Sequence, residues 1–492
     1  MSSVPPIRLL PLNRAAVNPA GDYVVYWMTM NRRPWFNFAL QRAVEEARRL
    51  GRPLLVLEAL RLGYEFASDR LHSFILQGMA ANQAALAGRG VLYYPYVETE
   101  PDQGKGLLLT LARQACLVVA DHFPCFFPPR MLAAAARRSP VRLEAVDACG
   151  LLPLAAAPRD YPTAHAFRRL LHQELPGHLV QMPLADPLAD HGLPAPADLP
   201  GGLTRRWPPA RPEMLMAGPE FLAGLAIDHA VGPVALAGGW DQARARLGDF
   251  LDQGLARYDQ ERSQPEAGAA SGLSPHLHFG HIASQEVFLG VAGREGWSPQ
   301  RLAPSGRGQR AGWWGMSPAA EAFLDQLVTW RELGFNMCQH RPDHDRYESL
   351  PAWARATLED HAADPRPHVY SLEELEGAAT HDQVWNAAQR QLLQEGVIAG
   401  YPRMLWVKKI LQWSPSPRRA LEIMLELNNR WALDGRDPNS YSGIFWVLGR
   451  HDRAFGPRRP IFGTVRYMSS ANTRRKLRLA GWLGRFGPPG RP

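Results

Sequence analysis

Short apolar runs alternating with helix-like stretches fill the first part of the chain, and this alternation constrains the fold more than any other feature. The runs are Tyr23-Val24-Val25-Tyr26-Trp27, Pro53-Leu54-Leu55-Val56-Leu57, Val91-Leu92-Tyr93-Tyr94 and Cys116-Leu117-Val118-Val119-Ala120. Each has the length of one strand and no polar alternation, as expected of strands covered on both faces. Between them, 36–50, closed by Gly51, and 69–87 read as helices. Strands joined through helices predict a parallel, Rossmann-like α/β sheet over residues 1–182. No GxGxxG follows the first strand and no Walker-type loop occurs, so the usual dinucleotide and triphosphate sites are not supported.

Between residues 183 and 239 the chain carries Pro194, Pro196, Pro200, Pro208, Pro209 and Pro212, a composition that predicts an extended connector. From about Trp240 the strand signal fades. The stretches 241–258, 275–292, 318–337, 382–395, 402–413 and 417–432 read as helices, several with proline in the first turn. Residues 240–492 are thus expected to be all-helical, with 298–317, rich in Gly306, Gly308, Gly312 and Gly315, as a mobile or inserted loop. At 492 residues the chain is too long for one ordinary core, so two domains are expected.

No apolar run reaches the length of a bilayer span, and the first residues lack the pattern of a secretory signal. Cys116, Cys125, Cys149 and Cys338 form no CxxC pair and read as free thiols of a reducing compartment, which makes the cytoplasm the expected location. Net charge is +8, yet residues from Tyr401 onward hold 18 Lys and Arg against 5 Asp and Glu. That concentration suits a polyanionic partner, nucleic acid first, and it also suits a solvated basic face; composition leaves both open.

The strongest local pattern is Ser271-Gly272-Leu273-Ser274-Pro275-His276-Leu277-His278-Phe279-Gly280. Ser274 is placed as an N-cap and Pro275 as the first helical residue. Free N–H groups at such an end suit a phosphate, with Gly272 allowing close approach of backbone. An ordinary capped helix explains the same residues.

This stretch, with FLDQLVTWRELGFNMC (323–338), WNAAQRQLLQEG (385–396), YPRMLWVKKILQW (401–413), LNNRWALDGRDPNSYSGIFW (427–446) and FGTVRYM (462–468), resembles the photolyase and cryptochrome superfamily, specifically the class II cyclobutane pyrimidine dimer photolyases. The resemblance covers most of 240–470 and, more loosely, the N-terminal part. It implies FAD bound in a U shape inside the helical domain. Tyr258, Ser271, Gly272, Leu273 and Ser274 would then hold the phosphates beside Arg331; Asn428 would bond near flavin N5, and Asp434 and Asp437 would face the ribityl chain and ring edge. Trp330 and Trp446 match the aromatic walls that grip a flipped dimer, and Met404 the residue packed on it. Trp385, Trp406 and Trp413 match a tryptophan chain for photoreduction, with Tyr370 an accessory donor. Trp406 and Trp413, seven apart, share one helix face roughly 10.5 Å apart, a spacing suited to stepwise electron hopping.

Arg403, Arg430, Arg436, Arg450, Arg453, Arg458, Arg459 and Arg466 are candidates for phosphate contacts to UV-damaged DNA, the implied partner. A deazaflavin-type antenna and a monomeric working unit are further expectations. His276, His278 and His281 imitate a metal cluster but lack a fitting acidic or thiolate set, and no metal is assigned there. Cys338, His340, His344 and Asp345 form a second such group, while Glu373 and Glu374 read as decoration of a helix start.

Two residues depart from the class II pattern. Gln326 stands where a glutamate is usual, weakening a bond to the dimer's carbonyl side and opening repair of (6-4) lesions as an alternative. Glu286 stands where an arginine paired with Asp452 is expected. Arg403 and Met404 occupy the place of the histidine pair of (6-4) enzymes. A light receptor without repair is the other alternative, and the 24 residues after Met468 are short for a regulatory tail.

Overall fold

In the computed structural model, which describes residues 3–196 and 198–488, the chain forms two compact units. One comprises Met1–Pro158, Glu174–Gly248 and Leu273–Pro299; the other comprises Arg159–Gln173, Asp249–Gly272 and Gln300–Pro492.

The first unit is built on a six-stranded sheet of β1 (Leu9–Pro11), β2 (Tyr23–Met28), β3 (Leu54–Leu60), β4 (Leu92–Val97), β5 (Ala115–Asp121) and β6 (Leu143–Val146), in the spatial order β1-β6-β5-β2-β3-β4. All neighbours pair in parallel except β1 with β6. The four apolar runs become β2 to β5. The short strands β1, at one edge, and β6, beside it, escape a hydrophobicity reading because one has three residues and the other contains Glu144. Val24, Tyr26 and Met28 pack with the helix Phe38–Leu50 on one face, while Tyr23, Val25 and Trp27 pack with Leu107 and Leu111 on the other. That period of two is why the run must be apolar throughout.

The chain order reverses between β2 and β5, where open α/β sheets form their ligand crevice. Here Asp121, fully buried at the end of β5, fills that position. Its carboxylate accepts from Tyr26 Oη at 2.8 Å and from the backbone N–H groups of Thr29, Met30 and Asn31 at 2.7 to 2.9 Å.

Two local expectations are corrected. The proline-rich stretch does not run extended: it forms the short helices Leu203–Arg206, Pro212–Leu215 and Pro219–Ala223 within the first unit, with Trp207 Nε1 donating to the Gln103 carbonyl at 2.9 Å. The helix expected over 275–292 is broken into Ser274–His278 and Ser284–Arg294. Gly280 causes the break: its φ is 71°, and an added Cβ would lie 1.7 Å from the Met30 carbonyl oxygen. Arg33 Nη1 donates to the Gly280 carbonyl at 2.8 Å and fixes the turn.

The second unit is helical. The helices Gln383–Glu395, Gly400–Trp413, Pro417–Trp431 and Pro438–Val447 surround one apolar core that includes Trp385, Trp406, Trp413, Leu427 and Phe445. The segment expected as one helix over 318–337 changes pitch midway: Pro318–Leu324 leads into a π turn, Asp325–Trp330, and then Arg331–His340. Among the described residues no helix is long and apolar enough to cross a membrane, and the four cysteines are buried and form no disulfide.

Replacing Gly280 by Ala combines a left-handed backbone with a steric clash. The Gly280→Ala variant is expected to lose about 2 to 4 kcal/mol of stability, read as a lower unfolding midpoint in a thermal or urea titration.

Candidate active site

Each helix of the second unit brings its functional side chains inward by ordinary local rules. Asp382 caps Gln383–Glu395 through Val384 N and Trp385 N at 3.0 and 3.2 Å, which fixes Trp385 in the first turn. Asp437 caps Pro438–Val447 by accepting from Asn439 N at 2.9 Å. At the start of Leu372–Glu376, Ser371 and Glu374 form a reciprocal capping box, so Glu374 serves the helix start as its sequence position predicts.

Trp385, Trp406 and Trp413 are all nearly or fully buried. Trp385 stacks on Trp406 with centroids 6.3 Å apart and planes 5° apart, and meets Trp413 edge-on at 5.6 Å. The spacing of Trp406 and Trp413 therefore needs one refinement: the ring that touches both is Trp385, from the neighbouring helix. Two of the N–H groups are satisfied inside the core, Trp385 Nε1 by the Trp406 carbonyl at 3.0 Å and Trp406 Nε1 by Gln389 Oε1 at 2.9 Å. Gln389, four residues after Trp385 on the same helix face, was legible from spacing and was not picked out. Tyr370, half-buried, meets Trp413 edge-on at 5.4 Å. The four rings thus run from the core to the edge of the unit.

Trp330 and Trp446 face each other at 6.5 Å with planes 83° apart, both half-buried. Trp330 ends the π turn that also carries half-buried Gln326; such wider turns are frequent at functional sites. Trp446 lies beneath the guanidinium of Arg466 at 5.5 Å, which is held by Asp452 at 3.1 Å. Met404 is half-buried against the same core as Trp446. The arginine partner of Asp452 is therefore Arg466, while Glu286, in the first unit, pairs with Arg244. Each acid has its own cation, and neither is left as an unpaired charge.

Asn428 is buried near the end of Pro417–Trp431 and donates through Nδ2 to Ser440 Oγ at 2.9 Å. Asp434 accepts two bonds from Arg403, at 2.6 and 3.2 Å. Arg436 sits buried at a left-handed φ of 64°, its guanidinium on the carbonyls of Asn429, Ala432 and Leu433. It closes the helix end. Tyr258 is buried, its ring edge-on to Phe250 and Phe323 at 5.9 and 5.2 Å, and burial raises its phenol above the ordinary range. Arg331 is buried over the Phe335 ring at 4.4 Å. Ser271 and Gly272 close the segment Asp249–Gly272 of the second unit, whereas Leu273 and Ser274 open Leu273–Pro299 of the first. Ser274 is the first helical residue rather than the cap, and the helix it opens spans only Ser274–His278, too short to sum a strong dipole.

The arginines separate into two sets. Arg403, Arg430, Arg436, Arg450 and Arg466 are engaged: Arg430 with Glu376 at 2.7 Å, and Arg450, almost fully buried, with Asp160 and the Ser349 carbonyl. Arg436 and Arg450 are thereby removed as surface phosphate contacts, a correction that follows from burial. Arg453, Arg458 and Arg459 are exposed.

Of the metal-like groups, His276, His278, His281, Cys338 and His344 are buried. Burial pushes the His276 imidazole down to about 4 and His281 well below its usual range, and His281 Nδ1 accepts from Gly239 N at 3.1 Å. For His344, burial lowers the imidazole, but the adjacent Cys338 thiol, the Arg341 carbonyl and Asp345 outweigh it and hold it above its ordinary value. Asp345 itself is exposed.

No protein-family model matches the chain. A deoxyribodipyrimidine photo-lyase of Methanothermobacter thermautotrophicus is 33% identical over 480 residues, covering 97% of this chain and 98% of the relative. One of Oryza sativa subsp. japonica is also 33% identical, over 94% of this chain and 87% of its own. Among solved structures, a class III photolyase from Agrobacterium tumefaciens superimposes with a TM-score of 0.67 at 18% identity, over 95% of this chain and 86% of that one. At that identity the likeness is one of fold.

Lys408 adds a titratable group that the sequence did not flag. It is buried on Gly400–Trp413 and donates through Nζ to the Val447 carbonyl. Burial pushes its amine down to about 7, Asp452 opposing and Arg466 adding to the shift. Between that value and the free-lysine range near ~10.4 the unfolded chain binds more protons than the folded one, so stability rises with pH across this window. The Lys408→Met variant is expected to be more stable than the unsubstituted protein at pH 7 and to lose this part of the slope, as thermal unfolding at pH 7, 8 and 9 will show.

Proposed function

Because the chain belongs to the deoxyribodipyrimidine photo-lyase family, we propose that it splits cyclobutane pyrimidine dimers in DNA under light, with FAD in the helical part of residues 240–492 and a class II arrangement of residues around it. It is an enzyme, a light-dependent carbon–carbon lyase. The observation that carries the lesion assignment is the half-buried, perpendicular pair Trp330 and Trp446. Two indoles at that angle present one face and one edge to a flat, apolar group, and they are large enough to exclude water from it.

The residues present fit a flavin. Asn428 is a buried neutral amide, and Asp434 is a carboxylate held in place by two guanidinium bonds. Arg403 Nε is buried without a partner among the described residues, one donor left over for a bound group. Asn428, Asp434 and Asp437 would hold the ring system and ribityl chain; Tyr258, Ser271, Gly272, Leu273, Ser274 and Arg331 would hold the phosphates. FAD, when bound, reduced and excited, supplies the single electron that opens a dimer and that the product returns.

The protein's own groups supply the rest. Trp330 and Trp446 keep a flipped lesion stacked and dry, at a cost in unpairing that a damaged step lowers. Met404 packs against it. Gln326 donates its amide N–H to a pyrimidine carbonyl without adding charge. Arg453, Arg458 and Arg459 hold backbone phosphates, an affinity that follows salt rather than sequence. The indole chain Trp406–Trp385–Trp413, ending on Tyr370, replaces electrons lost from the site. A deazaflavin-type antenna in the α/β part is supported by the resemblance alone. A monomer acting in the cytoplasm completes the proposal, supported by cysteines that form no disulfide and the absence of long apolar helices among the described residues.

Flavin-loaded, reduced protein illuminated with dimer-containing oligonucleotide is expected to restore intact pyrimidines; (6-4)-containing DNA run beside it decides the alternative that Gln326 raises. Restoration of neither lesion would leave a light receptor without repair. Trp446→Ala should weaken binding of damaged DNA by about tenfold or more, the loss of one stacking wall. The double variant Arg458→Ala, Arg459→Ala should lower the slope of log affinity against log salt by about two, affecting damaged and intact DNA alike.

A further inference from the structure

At its outer end the ring chain meets an arrangement that tunnelling alone does not require. Tyr370 Oη lies 2.6 Å from His381 Nδ1 and also accepts from the His381 backbone N–H at 3.1 Å. His381 is exposed, stacks on His368 at 3.9 Å and touches the Trp413 ring edge-on at 5.3 Å. Lys409 Nζ stands 5.3 Å from the centre of the Trp413 ring.

We propose that His381 is the proton acceptor that makes Tyr370 the terminal electron donor of this chain, an inference that rests on the electron-transfer reading above and deepens it. A phenol that loses an electron becomes a strong acid, so it yields the electron readily only if its proton has somewhere to go at the same moment. The step balances as follows. The oxidant is Trp413, left short of one electron after the light-driven oxidation of the indoles by the bound flavin. Tyr370 gives it one electron; the Tyr370 O–H bond breaks, the proton forms an Nδ1–H bond on His381, and a neutral tyrosyl radical beside an imidazolium results. Through its exposed ring His381 then passes the proton to water.

The surroundings favour this direction. Because the phenol oxygen already accepts from the His381 backbone, its own proton is free to point at Nδ1, which serves as acceptor only while the imidazole is neutral. Partial desolvation, His368 and Lys409 lower the His381 imidazole against the opposing pull of Asp382, which favours its neutral form. The ammonium of Lys409 is attracted to a neutral Trp413 ring and repelled by an oxidised one, which drives the positive hole outward to Tyr370. Asp382, committed to the cap of Gln383–Glu395 and 3.7 Å from Lys409, fixes the amine in place.

The test is transient absorption and spin resonance on flavin-loaded protein after a flash. The expected record at pH 8 is an indole radical giving way to a neutral tyrosyl radical, more slowly in heavy water and more slowly again as acid protonates His381. His381→Phe should slow the conversion by roughly 100-fold with flavin content unchanged, and Tyr370→Phe should abolish the tyrosyl signal. In the dark, nitrogen NMR of ring-labelled protein should find Nδ1 of His381 unprotonated at pH 8. A protonated Nδ1, an indole radical with no tyrosyl successor, or a rate indifferent to pH and to His381→Phe would overturn the inference and leave the indole chain standing. Absence of any indole radical would remove the chain itself, and the inference with it.

Discussion

A buried indole must find an acceptor for its N–H, and Trp385 and Trp406, stacked side by side, impose that demand on one small region of the second unit. Leaving one such donor unpaired costs about 1 to 3 kcal/mol. The answer is mutual: Trp385 bonds the backbone of the helix that bears Trp406, and Trp406 bonds Gln389 on the helix that bears Trp385. Two helices are thereby locked in register, with ring planes 5° apart. The positions of Arg403, Met404 and Lys408, all on Gly400–Trp413, follow from that lock. So does the ion pair of Arg403 with Asp434, which ties this helix to the corner between the next two. The contacts that stabilise this region are also those of the proposed electron path.

The two units treat buried charge in contrasting ways. In the first, Asp121 fills the place where a doubly wound sheet usually receives a ligand, one oxygen taken by backbone N–H groups and the other by Tyr26 and Asn31 side chains. In the second, half-buried aromatic and amide groups stay on the rim: Trp330, Trp446 and Gln326. The α/β architecture alone would direct a search for function to the sheet. Its geometry directs that search away from the switch point and toward the helices.

How far the sequence could be read depended on whether the governing contact was local. Strands β2 to β5 followed from unbroken apolar runs and the end of Phe38–Leu50 from Gly51, because those signals act within a few residues, whereas the cap read at Ser274 fell one residue late. The short strands β1 and β6 did not, since three or four residues carry no period. The break at Gly280 is set by the Met30 carbonyl, some 250 positions earlier, and no window of sequence contains both. The same reason accounts for Arg450, which looked like a surface cation until Asp160 came to lie beside it, and for His381, whose partner Tyr370 sits across a helix start. Trp406 and Trp413 were correctly placed on one face, but the ring that links them belongs to another helix. The roles of these residues, as opposed to their positions, came from resemblance throughout.

The π turn Asp325–Trp330 has a consequence for how this region can vary in length. A wide turn is an ordinary helix carrying one surplus residue, which its neighbours accommodate by a local loosening of pitch. Losing one residue between 325 and 330 would restore the regular spiral with everything that follows, through His340, on nearly its present bearing, because the loosened turn already absorbs that residue's rotation of about 100°. A second loss would exceed what the turn absorbs and swing Arg331 off its bearing while every residue kept its chemical identity. Residue count in this stretch is therefore buffered by a single unit, a tolerance that a tally of residue types would not detect.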